Sequence, residues 1–86
     1  SATIRRKTAA DGLSGVDAGL LERLRAWRRE QAREQAVPAY VIFHDATLSA
    51  IAAAHPRDMA DLASIHGIGA TKLERYGPAL MALLRA

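Results

Sequence analysis

Cysteine is absent from the 86 residues, so neither disulfides nor thiolate metal sites can hold this chain together. Long hydrophobic runs are missing too. Ala36 to Phe43 is broken by Pro38 and Ala79 to Leu84 is short, far below the ~20 apolar residues of a membrane span. No charged-then-apolar leader opens the chain, and no second strand-like segment accompanies Tyr40 to Phe43, so a sheet has nothing to form from. The expectation is a soluble, cytoplasmic, monomeric unit with a self-sufficient helical core. A chain this short makes one small domain and encloses no large substrate cleft, which favours a binding module over an enzyme.

Charge of one sign is also scarce over most of the length. The net charge is +3, but its distribution is uneven. Arg5, Arg6 and Lys7 outweigh Asp11 in residues 1–12, and the five arginines between Leu13 and Gln35 exceed the acids there by one. Ala36 to Ala86 is balanced. A phosphate-binding surface must therefore come from local segregation of charge, with acidic patches beside it.

Residues 1–12 lack apolar periodicity and read as a flexible basic linker, leaving 13–86 as the folded part. A first helix is expected from about Val16 to Gln35, with Ser14 and Asp17 in capping-box spacing. Val16, Leu20, Leu24, Trp27 and Gln31 share one face; Glu22, Arg25, Arg29 and Arg33 share the other. Val37-Pro38 stops this helix, and Tyr40 to Phe43 reads as an extended buried segment. Asp45 is expected to cap a second helix that ends at His55-Pro56. Asp58 should cap a short third with Met59, Leu62 and Ile65 inward. A fourth spans roughly Ala70 to Tyr76, and Gly77-Pro78 starts a fifth with proline at its first position. The fold class is all-α, a compact bundle of about five helices with a Gly-x-Gly turn between the third and fourth.

Gly67-Ile68-Gly69 is where backbone itself could do chemistry. Such a turn leaves N–H groups at the positive end of a helix dipole, an anion site that Lys72 and Arg75 could complete as phosphate contacts. The same glycines also suit a tight turn that binds nothing. Arg25, Arg29 and Arg33 repeat at i, i+4, i+8, a spacing that repels unless an anionic partner offsets it. Glu22 and Glu30, each three residues ahead of an arginine, favour instead an ordinary solvated face of local ion pairs, from which exposed arginines could still steer DNA. Asp58 and Asp61, with Glu30 and Glu34, are candidates for an acidic docking surface. No third ligand joins the two aspartates, His44, His55 and His66 have no metal-ligand spacing, and no Ser or Thr has a base arrangement. Neither a catalytic nor a metal site is expected.

Val37-Pro38-Ala39-Tyr40-Val41-Ile42-Phe43-His44-Asp45-Ala46-Thr47-Leu48, followed by Gly67-Ile68-Gly69, Lys72-Leu73 and Tyr76-Gly77, resembles the HRDC domain of RecQ-type helicases and ribonuclease D. The resemblance runs from about Asp17 to Ala86. Leu73 to Gly77 is most similar to the bacterial RecQ version. It implies a five-helix auxiliary domain, without catalysis or cofactor of its own, in a nucleoid-associated bacterial DNA helicase whose other domains use ATP and Mg. It implies as partners single-stranded or partial-duplex DNA and the helicase core of the same polypeptide. It also marks Tyr40 as a DNA contact, and a ring there could stack a base; a ring half-buried over Trp27 is the plainer reading. Ala39 departs from the second proline common before this tyrosine in similar sequences. Docking on the helicase core, or RNA binding in a ribonuclease D-like nuclease, are the alternatives.

Overall fold

A computed structural model describes residues 16–86, in which the chain forms five helices and no strand. The expected linker over residues 1–12, the domain start at residue 13 and Ser14 lie outside the described residues. The helices are α1 (Ala18–Gln35), α2 (Ala39–Ile42), α3 (Asp45–Ala54), α4 (Met59–Ala63) and α5 (Ala70–Arg85). α1 packs against α2, α3 and α5, and α4 lies on α5.

The number of helices matches expectation, but two of them differ in kind. Tyr40 to Phe43 is not extended: Ala39–Ile42 makes one helical turn, entered from Pro38 and left through Phe43 in β conformation. Four residues are too few to show periodicity or to sustain a helix alone, so this turn depends on groups elsewhere. Conversely, Gly77-Pro78 does not begin a new helix, because α5 runs through it. Proline removes one N–H, and its ring crowds the Cβ of the residue before it. Gly77 has no Cβ, so α5 continues and buries Tyr76, Leu80 and Met81 on either side of the proline.

The caps differ in part from their expected places. α1 starts at Ala18, with Asp17 as its N-cap, Oδ1 accepting from Leu20 N at 2.9 Å. The other carboxylate oxygen lies 3.2 Å from His55 Nε2, and the Asp17 amide donates to Ala52 O, so one residue ties the start of α1 to the end of α3. α3 is capped by His44 without a side-chain bond, and Asp45 is its first residue; the Asp45 carboxylate is taken by Arg28 instead. Asp58 does cap α4, and His55 ends α3 in the left-handed conformation. Leu62 and Ile65 are buried as expected, but Met59 is 38% exposed, lying over Gly77 at the surface.

Leu20 and Leu24 of α1, Leu48 and Ile51 of α3, Leu62 of α4 and Leu80 of α5 are sealed from water together with Ile42 and Phe43. Trp27, Phe43 and Tyr76 cluster above them, the Trp27 and Tyr76 rings edge to face at 5.4 Å. The two turn glycines are unequal. Gly67 has φ +100° and a Cβ there would overlap Thr47 Oγ1, whereas Gly69 has ordinary extended φ and open space around it. The tight approach of the turn to α3 thus rests on Gly67 alone.

Gly67→Ala is expected to cost roughly 2–4 kcal/mol through left-handed strain and the Thr47 overlap. Gly69→Ser, which adds an N-cap oxygen to α5, should be neutral or stabilising by roughly a few tenths of a kcal/mol. Urea unfolding of both variants checks the contrast. Asp17 has its carboxyl held below the usual range, first by the Leu20 N–H and also by the charges of His55 and Arg23. A carboxyl lowered on folding contributes stability that is present above its ordinary pKa of about 4 and lost as pH falls through the lower folded value. Asp17→Asn keeps a capping oxygen but removes the charge, so its unfolding midpoint should fall less steeply than wild type between about pH 4 and 2.

Candidate nucleic-acid interface

Tyr40 is the second residue of α2, and its side chain has no room in the core, which Ile42 and Phe43 of the same segment already fill. It is 61% exposed, so the ring does not lie half-buried over Trp27. Its neighbour is His44, ring centroids 6.1 Å apart and planes within 23° of parallel. These two rings flank an open concavity of about 470 Å³ lined also by Arg28, Ala39, Asp45 and Ala46. Val41, 43% exposed, extends the apolar surface next to Tyr40.

Arg28 forms the floor of this hollow. Its side chain is only 13% exposed; Nη2 lies 2.7 Å from Asp45 Oδ1 and Nη1 donates to Phe43 O at 2.8 Å. A buried guanidinium is tolerable when paired and hydrogen-bonded on this scale, although Nε has no partner. The Arg28 hydrogen bond, then its charge, hold the Asp45 carboxyl below the usual range, and Arg25 and His44 add to the effect. Arg28 is not among the candidates that the sequence pattern picks out. A signal for it exists nonetheless: Leu20, Leu24 and Ala32 are buried, and Arg28 completes their i, i+4, i+8, i+12 line.

Lys72 reaches the same segment from α5. Its ammonium donates to Val41 O at 2.9 Å and Ile42 O at 2.6 Å and lies 5.2 Å from the Phe43 ring centroid. Gly67 and Gly69 therefore place a lysine whose head is engaged with backbone of α2. Arg75 belongs to another cluster. Its guanidinium lies over the Tyr76 ring and donates to Gln35 Oε1 at 3.1 Å, and Gln35 in turn donates to the Tyr76 hydroxyl.

Along α1, Arg25 lies 3.8 Å from Glu22 and Arg33 is paired with Glu30, in keeping with their spacing, while Arg29 and Glu34 are exposed. Asp58 accepts from the Asp61 amide, and Asp61 accepts from the Arg57 amide, so the acidic edge of α4 organises its own backbone. Among the described residues, no three His, Asp or Glu side chains are grouped to hold a metal ion, and no helix is long and apolar enough to cross a membrane.

Residues 17–84 match the model of the HRDC domain. The chain is 47% identical over 85 residues, 99% of its length, to the ATP-dependent DNA helicase UvrD2 of Mycobacterium tuberculosis. It is 38% identical over 74 residues, 86% of its length, to the ATP-dependent DNA helicase RecQ of Haemophilus influenzae. In both cases it spans 12% of the helicase. Among solved structures, the D. radiodurans RecQ HRDC domain 3 superposes with a TM-score of 0.76 at 41% identity, covering 79% of this chain and 90% of that one. With the helical architecture, the aromatic-bearing turn and these likenesses in agreement, the chain belongs to the HRDC domain family.

Proposed function

We propose that this domain is a non-catalytic part of an ATP-dependent DNA helicase, where it holds single-stranded or partial-duplex DNA weakly and thereby tunes which substrates the parent enzyme engages. The observation that carries the reading is the 61% exposure of Tyr40 beside an open hollow floored by a cation. A large ring left in water at a corner, parallel to an imidazole, offers a face on which an unstacked base can lie. Sequence is not read by such a contact. Arg25 and Arg29 on α1 and Arg75 on α5 supply exposed or half-exposed charge for phosphates.

Weak binding fits the charge balance, because the residues beyond Gln35 carry no net charge. Weakness does not prevent function in a tethered domain, since a linker raises the effective concentration of a second site to about millimolar. ATP and Mg are then matters for the parent's motor domains. The likeness to DNA helicases of both UvrD2 and RecQ type supports a helicase parent over a ribonuclease D-like one.

Labelled single-stranded oligothymidylate titrated into the 86-residue chain should bind with an affinity that falls as salt rises. Tyr40→Ala should lose about 1–3 kcal/mol of binding, the worth of one stacked base. Equal binding by wild type and Tyr40→Ala would remove the ring from the interface. Absence of any salt-dependent binding, with DNA binding of the full helicase altered by Asp61→Ala, would favour docking on the helicase core.

A further inference from the structure

Lys72 stands third in α5, in the first turn, where the helix presents its positive pole and a cation is disfavoured. Its own helix gives no reason for a lysine there. The ammonium instead reaches the opposite pole of another helix, meeting the carbonyls of Val41 and Ile42 at the C-terminal end of α2. Arg28 takes the next carbonyl, that of Phe43. Three consecutive carbonyls that α2 is too short to satisfy are thus bonded by two cations, one from α1 and one from α5. With two of its three donors committed and the Phe43 ring beside it, the Lys72 ammonium has little left for a phosphate.

We infer that Lys72 is a positioning residue: its ammonium fastens the single turn that presents Tyr40, and it influences DNA binding through that turn instead of by touching DNA. The functional half of this inference rests on the DNA reading of Tyr40. Tyr40 has few contacts of its own, so the direction of its ring depends on where α2 is held. Removing the ammonium exposes unbonded carbonyls at the end of a four-residue helix, whose closing bonds are those of the Val41 amide to Pro38 O and the Phe43 amide to Ala39 O. A phosphate contact and a clamp differ in one measurable respect. Loss of a phosphate contact reduces the salt dependence of binding, whereas loss of a clamp does not.

Lys72→Met retains an unbranched apolar stem without the charge; Lys72→Gln retains a single donor group, and Lys72→Arg retains charge and donors. Amide hydrogen exchange without DNA comes first. The Val41 and Phe43 amides should exchange roughly tenfold faster in Lys72→Met or, should that variant not fold, in Lys72→Gln, with the α3 core amides unchanged. Unchanged exchange at Val41 and Phe43 would overturn the clamp, whatever happens to DNA. Titration with labelled oligothymidylate at several salt concentrations then tests the functional half. Lys72→Met should bind roughly threefold to tenfold more weakly with an unchanged slope of log K against log salt, Lys72→Arg should recover most of the loss, and Lys72→Met combined with Tyr40→Ala should bind no more weakly than Tyr40→Ala alone. A slope shallower by about 0.7, or additive losses in the double variant, would make Lys72 a direct phosphate contact. Faster exchange with Tyr40→Ala binding like wild type would leave the clamp standing and refute the role of Tyr40 in DNA binding.

Discussion

The end of α2 is held by two cations that come from two different helices. Arg28 of α1 bonds the Phe43 carbonyl and Lys72 of α5 bonds those of Val41 and Ile42. A one-turn helix gains too few internal bonds to offset the entropy of fixing its residues, so its geometry is borrowed from these partners. The exit from the turn is equally dependent. Phe43 leaves in extended conformation and packs its ring against both Trp27 and Tyr76, which joins α1, the exit of α2 and the middle of α5 in one aromatic cluster.

That arrangement explains why the candidate interface lies where it does. Within four residues the chain must send Ile42 and Phe43 inward, and one helical turn that does so points Tyr40 outward. His44 and Asp45 come at once as the entry to α3, and Arg28, tied to Asp45, closes the hollow beneath them. The exposed ring is a by-product of core packing in the first instance. Under the proposed function, what it would offer a nucleic-acid partner is a ring face beside a hollow lined by a cation.

The glycine turn has a definite steric part in the fold. Gly67 lets the chain pass against Thr47 of α3, in a backbone conformation other residues resist. This contact sets where α5 begins, and hence where Lys72 starts its reach toward α2. Gly77 has a comparable steric task later in α5, next to Met59 and ahead of Pro78, where a Cβ would crowd both.

Much of the architecture was legible because its causes are local. The amphipathic stripe of Leu20 and Leu24, the cap at Asp58 and the stop at His55-Pro56 depend on residues a turn or less apart, and each occurs as the spacing implies or within two residues of it, whereas Asp17, expected as the partner of a Ser14 cap, is itself the N-cap. The segment around Tyr40, followed by a Gly67-Ile68-Gly69 turn that alone would suit many helix-hairpin-helix motifs, was specific enough to indicate the family. The destination of Lys72 was not legible, since its acceptors lie 30 and 31 residues earlier and neither residue type announces the pairing. Nor was the helical state of Ala39–Ile42, which exists through those distant donors, or the passage of α5 through Pro78, which depends on burial on both sides of it. Sequence alone therefore determined where the longer amphipathic helices lie and which family they compose, through short-range periodicity and capping. Tertiary structure decided which cations are consumed inside the fold and which ring is left in water, because those outcomes depend on atoms brought together across the whole chain.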